Sequence, residues 1–585
     1  MNEPVSPPLT GTDGGHGKGF ALPEFTNLLP LRAAMGYRDK DLADLAAQML
    51  SPVDPVSDGP DAEENLYVPA GYTYFGQFID HDLTLDTTST LIVNKELKDP
   101  NKAANDPTNI RSPRFDLDCV YGNGPDDQPY LYEQGDGDSL SGKVFAGASM
   151  IIAAHDLARS PNGRALIGDK RNDENSIVNQ IQQAFIKFHN QVVRTLMERG
   201  EAARGTDLFN KARDQVRWAY QTIIMQDYLP RIIEHTTLNA FVSMHDTGPD
   251  KRDKAYVLYK PNQKPDLRAN LPREFVVAAY RFGHSMVRTG YRLCGNSPMD
   301  GNGFSTRLPI FTPSNQPDIS LLGFDPLPRT HVIDDWGRFF PLDQPRPGSR
   351  LTVNAGESVE DTEYDPTLRL QYAYKIDPSL TDPLGHLPPK VAKPGDVPAP
   401  VGPGGPPSLA LLNLLRGNRY LIQGGQAFEP IVGRTLDPKY LVTREKLAGD
   451  LYRFKAIPEA LKEDTPLWLY ILAEAQRSMV DLWMERGGTL GNTVTLTRDD
   501  LLGRTNDPDP AHPEVPRQRA LGGQLGPVGG LIVAEVFYGL LDSDDRSVVN
   551  LKAPFTPIWG NGPHTFARLL NFAGLPISQP TAPGA

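Results

Sequence analysis

Between Gln77 and Asp82 this chain places an amide, two carboxylates and an imidazole, in the stretch Gly76-Gln77-Phe78-Ile79-Asp80-His81-Asp82. The flanking residues Tyr72, Tyr74, Phe75, Leu83 and Leu85 are aromatic or apolar. On a helix, Gln77, Asp80 and His81 stand at i, i+3 and i+4 and share one face, while Phe78 and Ile79 point elsewhere. A polar triplet on an otherwise apolar helix is costly to bury unless something satisfies it, and a cofactor or a metal is the natural partner. A packed core histidine with solvated acids is the plainer alternative.

Three further stretches bear on chemistry. Gly168-Asp169-Lys170-Arg171-Asn172-Asp173-Glu174 sets Arg171 and Glu174 three residues apart at the start of a predicted helix. Acids there also favour a helix N-terminus without any chemistry. Ser112-Pro113-Arg114-Phe115-Asp116-Leu117-Asp118 offers a hydroxyl and two carboxylates, hard oxygen donors suited to Ca²⁺, though without the third acid and the glycine of an EF-hand. An acidic turn before a strand reads equally well. Ala279-Tyr280-Arg281-Phe282-Gly283-His284 places one histidine in an apolar run. Such a histidine is usually packed core, and it is also the protein ligand that haem iron needs.

The elements that must position these groups are mostly helical. Apolar spacing predicts helices over 174–198, 207–234, 273–288, 465–484 and 526–541. Proline-rich connections separate them at 296–318, 324–365 and 377–408. The reading is mainly α: one large domain over 21–575, flexible tails at 1–20 and 576–585, and 377–408 as a Pro/Gly-rich loop within the domain, or else a linker between two. A length of 585 residues allows about four domains, but no internal repeat supports four units. A formal net charge of −13 argues against nucleic acid, which needs clustered Lys and Arg. No apolar run reaches membrane-spanning length. The polar residues 1–19 lack the apolar core of a secretory signal, so a soluble protein, cytoplasmic or non-classically exported, is expected. The two cysteines, Cys119 and Cys294, could pair once and cannot build a disulfide framework.

Together and in this order, the four stretches resemble the animal-type haem peroxidases of the peroxidase–cyclooxygenase superfamily, in a bacterial-like form. The resemblance runs from about residue 70 to about residue 545. It includes the landmarks His189-Asn190, Asp227-Tyr228-Leu229-Pro230 and Asn413-Leu-Leu-Arg416-Gly417. It implies a peroxidase fold with haem buried between central helices. The activity implied is reduction of hydrogen peroxide and oxidation of small anionic or phenolic donors by a protein favoured to be monomeric.

Residue roles follow from the resemblance. His81 is the distal histidine that moves a proton between the oxygens of peroxide, Arg171 stabilises developing negative charge, and Gln77 binds a distal water or a halide. His284 ligates the iron, with Arg281 one turn earlier pairing a haem propionate. The hydrogen-bond acceptor for His284 is expected at Gln426, by ungapped counting from Asn413. Asp80 and Glu174 match the carboxylates that esterify haem methyl groups. Asp82, Ser112, the Arg114 carbonyl, Asp116 and Asp118 make a calcium site, with Asp118 adding a charge where relatives carry serine. Asn175 stands where some members carry a haem-bonded methionine, which implies a less oxidising haem suited to iodide, bromide, thiocyanate or phenols rather than chloride.

The nearest rival is a fatty-acid dioxygenase of the same superfamily, which needs a tyrosine three residues before the proximal histidine. Arg281 occupies that position, and Tyr280 is one residue out of register. A metal phosphohydrolase built on His81-Asp82 lacks its other ligands. Gly17-Lys18 lacks the Ser or Thr of a phosphate loop. A non-catalytic, calcium-stabilised interaction protein would not need His81, Arg171 and His284 together.

Overall fold

The computed structural model describes residues 25–51, 64–85, 109, 111–134, 146–202, 205–246, 254–261, 271–294, 307–312, 319–341, 370–392, 407–433, 457–488, 502–509, 512–520 and 522–577. The expected tail at 1–20, residues 578–585 of the expected tail at 576–585, and residues 393–406 of the proline-rich stretch lie outside them, while Pro576 accepts from the Trp336 N–H at 2.9 Å and Ile577 is buried. Helices dominate, and the strands form four two-stranded antiparallel sheets among the described residues. The helices used below are α1 (Gly71–Leu83), α2 (Ser176–Glu198), α3 (Thr206–Ile223), α4 (Arg273–Val277), α5 (Leu409–Arg419), α6 (Leu467–Ala475) and α7 (Pro527–Asp542). One apolar core cluster extends from Phe25 to Ile577.

α1 carries the opening motif and lies inside this core. Phe78 stacks on Phe185 of α2 with ring centroids 4.7 Å apart, and Phe75 packs on Phe566 at 4.6 Å. Each such ring contributes about 1.5–3 kcal/mol of burial, which offsets the cost of the polar face beside it. Two glycines permit the close approach. A Cβ on Gly71 would meet the Phe340 ring at 2.5 Å, and one on Gly76 would meet the Tyr228 hydroxyl at 2.4 Å. α2 buries Ile177, Ile181, Ala184, Phe185, Phe188 and Val192, the stripe expected from its spacing. Within the apolar α7, the buried Glu535 carboxylate accepts from the backbone N–H groups of Val257, Leu258 and Tyr259.

Three predicted helices are interrupted. The 207–234 helix gives way after Ile223 to a π turn, Ile224–Tyr228, before a last turn, Leu229–Ile232. Pro230 has no N–H to continue the regular ladder. The turn leaves Asp227 accepting from the Tyr72 hydroxyl at 2.6 Å and the Phe566 N–H at 2.9 Å. The 273–288 helix ends at Val277, because Ala278 leaves the helical region, and resumes as the 3-10 segment Ala279–His284. The 465–484 helix is two, α6 and Arg477–Glu485, joined at Gln476. The acidic stretch 112–118 leads into a short helix, Asp118–Tyr121, rather than a strand. Cys119 and Cys294 are both buried and are not joined to each other.

Candidate active site

α1 presents Gln77, Asp80 and His81 on one wall of the site, as their spacing requires. The 3-10 segment Lys170–Asp173 crosses beside it and supplies Arg171 and Asn172, with Glu174 and Asn175 following. The His81 Nδ1 lies 2.7 Å from the Asn172 oxygen, and the Asn172 NH₂ donates to Gln182 at 2.8 Å. This network puts the imidazole proton on Nδ1 and leaves Nε2 as a free base. Burial, followed by the nearby Arg171 guanidinium, pushes the His81 imidazole down to about 3, so it is neutral at ordinary pH. The Glu174 carboxylate is 3.7 Å from that Nε2 and accepts a hydrogen bond from the Gln77 NH₂. Burial pushes the Glu174 carboxyl up to about 7 against the opposing pull of Arg171. Burial also raises Asp80, opposed by Arg171 and Arg281.

Across the site, the 3-10 segment after α4 ends on His284. An amide lies 2.8 Å from its Nδ1, and that amide is Asn413 of α5. Gln426, expected in this role, is elsewhere: its NH₂ donates to Thr465 and the Lys462 carbonyl, and its oxygen accepts from the Thr465 N–H. The ungapped count failed because α5 itself, and not the segment after it, faces His284. Burial, then Arg281 and Arg416, push the His284 imidazole down to about 3. No partner falls on its Nε2 among the described residues.

Arg281 donates to the Val276 carbonyl at 2.9 Å and to the Asn413 oxygen at 3.4 Å. Burial and then Arg416 lower it to about 9, with Asp80 opposing. Among the described residues neither Arg281 nor Arg416 makes an ion pair. Two neighbouring, partly buried guanidiniums without paired carboxylates among the described residues fit a bound dianion, such as the propionates of haem. Asp80, Glu174, Arg281 and His284 lie deep in the protein yet keep accessible surface, which fits the lining of an internal cavity. A neutral histidine with a free Nε2, facing cations rather than acids, has the donor chemistry of a haem site.

Arg171 does not reach freely into the site. It donates to Asp169 at 2.8 Å, to the His81 carbonyl at 3.0 Å and to the Thr84 carbonyl. Asp169 also pairs with Arg111 at 2.5 Å, and Arg111 lies 3.2 Å from Asp118. The guanidiniums hold the Asp169 carboxyl well below the usual range. A ladder of alternating charge thus links the distal residues to the acidic loop. There, oxygens of Asp82, Asp116 and Asp118 lie within 4.8 Å of one another. Asp82 Oδ1 is buried with no hydrogen-bond partner among the described residues, while Oδ2 accepts from the Leu117 N–H. The Ser112 hydroxyl donates to Asp116 at 2.9 Å. Burial and then Asp116 push the Asp82 carboxyl up to about 7, as expected when like charges converge without a cation. An orphaned carboxylate oxygen in a cluster of hard donors fits Ca²⁺.

Tyr280, beside Arg281, is buried against α1. Its hydroxyl donates to the Gly76 carbonyl at 3.3 Å and lies 3.0 Å from the Tyr228 hydroxyl, and its ring stacks on Phe275.

A family model for animal haem peroxidases matches residues 97–335, the stretch holding the acidic loop, Arg171, Glu174 and His284. That stretch of the chain is similar to the animal haem peroxidases. A peroxidasin homologue of Caenorhabditis elegans is 26% identical over 209 residues, 35% of this chain and 14% of that protein. A dual oxidase of Drosophila melanogaster is 26% identical over 137 residues, 23% of this chain and 8% of that protein. The chain therefore matches only a small part of these relatives. Peroxidase A from Dictyostelium discoideum shares the fold at 15% identity and a TM-score of 0.52, covering 96% of this chain and 95% of that one. The helical architecture is shared with that Dictyostelium peroxidase.

Sequence reasoning named His81, Arg171, Glu174, Arg281 and His284, but it did not single out Asn172 or Asp169, or the contact of Asn413 with His284. Asn172 and Asp169 sit within the Gly168–Glu174 motif. Their polarity was a visible signal, but their direction depends on a 3-10 turn that periodicity does not reveal.

Proposed function

We propose that this protein is a haem peroxidase that reduces hydrogen peroxide and oxidises small anions or phenols. The observation that carries this reading is the pair of neutral imidazoles, His81 and His284, each met at Nδ1 by an asparagine, beside two guanidiniums with no carboxylate partner among the described residues. Haem would be held by His284, Arg281 and Arg416 and would supply the redox chemistry between peroxide and donor. His81 Nε2 accepts a proton from the peroxide and returns it to the departing oxygen. Arg171, fixed by Asp169, places positive charge beside that departing oxygen. Iron ligation through Nε2 calls for a proton on Nδ1 of His284. A half-turn of the Asn413 amide then aims its oxygen at that proton and raises the basicity of the ligand.

Asp80 and Glu174 are the residues for ester links to haem. Asp82, Ser112, the Arg114 carbonyl, Asp116 and Asp118 hold calcium and thereby pin the segment after His81. Residues 21–575 act as one peroxidase domain, consistent with a single core. Asn175 in place of methionine gives a haem that oxidises iodide, bromide, thiocyanate or phenols in preference to chloride; chlorination as fast as bromination would refute that preference. The Tyr280 hydroxyl, engaged with Gly76 and Tyr228, supports a peroxidase over a fatty-acid dioxygenase. Among the described residues no helix is long and apolar enough to cross a membrane.

The test is an absorbance spectrum of protein produced with ample haem. A Soret band that shifts on adding peroxide, and loses that shift in His81→Ala while the band persists, supports the proposal. Absence of the band overturns it.

A further inference from the structure

Asn175 is the N-cap of α2, and that structural duty decides the orientation of a residue in the active site. Its Oδ1 accepts from the backbone N–H groups of Ile177 at 3.1 Å and Val178 at 2.8 Å. Backbone N–H groups only donate, so the capping atom is the oxygen and the remaining amide atom is the NH₂. That NH₂ lies 3.2 Å from the Gln77 side chain, which must answer with its own oxygen. The Gln77 NH₂ is then turned toward Glu174, where one N–H is used on the carboxylate. The second N–H has no partner among the described residues, and Gln77 keeps accessible surface. A glutamine amide on its own turns readily, because its two ends have nearly the same shape. Here the helix cap removes that freedom.

We propose that Asn175 is a positioning residue that locks Gln77 as a hydrogen-bond donor toward the distal cavity, and so makes that cavity selective for anions such as thiocyanate. The inference rests on the peroxidase reading of the cavity and adds the residue that sets its donor polarity. Without the Asn175 NH₂, Gln77 can present its oxygen, which repels an anion.

Two substitutions separate the cap from the lock. Asn175→Ser keeps a capping oxygen and removes the NH₂, while Asn175→Asp keeps the cap and replaces the donor with an acceptor. Both should fold, as circular dichroism would verify. The measurement is equilibrium titration of the ferric, haem-loaded protein with thiocyanate, followed by the Soret difference spectrum, with the neutral phenol p-cresol as comparison. Loss of one hydrogen bond to an anion predicts thiocyanate binding weakened roughly tenfold or more in Asn175→Ser, and further in Asn175→Asp, with p-cresol changed much less. In a Gln77→Leu background, Asn175→Ser should have no additional effect, since its influence passes through Gln77. Wild-type thiocyanate affinity in Asn175→Ser, equal losses for thiocyanate and p-cresol, or a full Asn175→Ser effect in Gln77→Leu would each overturn the inference. These results are distinct from failure of the peroxidase reading, which shows as no Soret band in the wild-type protein.

Discussion

Stripping calcium from the acidic loop should create an electrostatic conflict that grows with pH. Without the ion, burial and the neighbouring Asp116 raise the Asp82 carboxyl from 3.8 to about 7. A carboxyl raised in the folded state contributes stability that is fully present below its unfolded value and is lost as pH rises through about 7. Between pH 5 and pH 8 the protein traverses about two units of that shift, or about 3 kcal/mol at roughly 1.36 kcal/mol per unit. Calcium reverses the preference by holding the ionised form, so the stabilisation it gives should be larger at pH 8. Unfolding entropy near 2.1 cal/mol/K per residue amounts to about 1.2 kcal/mol/K for 585 residues. The increase in Tm on adding calcium should therefore exceed that at pH 5 by roughly 2 °C. Calorimetry of resin-stripped protein, with and without calcium at both pH values, measures this directly. The neutral histidines His81 and His284 shift stability with and without the ion alike, so they cancel in the difference. A calcium increment equal at the two pH values, or larger at pH 5, would refute the reasoning.

Replacing Asn172 with Leu should leave the His81 Nδ1–H buried without an acceptor, at about 1–3 kcal/mol, and slow the stopped-flow reaction with peroxide about tenfold or more. Because the His81 base is already neutral well above about 3, that rate should stay flat as pH falls through 6.5 and drop only toward 3; a break near 6.5 would count against a buried, depressed imidazole. Asn413→Leu should move the Soret maximum and raise the reduction potential of the haem, whereas Gln426→Leu should leave both unchanged, since Gln426 serves Thr465. Asp80→Asn and Glu174→Gln should each reduce the haem stain retained on denaturing gels after peroxide turnover, and the double variant should abolish it.

Much of the site could be read along the chain. The i, i+3, i+4 spacing on α1 put Gln77, Asp80 and His81 on one wall because helical periodicity is local, and the apolar stripe of α2 followed from the same rule. The acids at 116 and 118 offered either a cation site or a plain acidic turn, and the fold brings their carboxylates together with that of Asp82. Where the reading fell short, the deciding interactions were long in sequence or hung on an irregular turn. Asn413 meets His284 across 129 residues because α5 packs on the segment after α4, and no local count could select it over Gln426. Ala278 and Pro230 broke helices that their apolar patterns would have continued. The 3-10 turn at 170–173 aimed Asn172 at His81 and left Arg171 clasped by Asp169. The sequence by itself determined which residue types were available and which face of each regular helix they shared. Tertiary structure decided which amide met which imidazole and which charges went unpaired, since side-chain direction at a helix break and desolvation in a cavity are properties of packing.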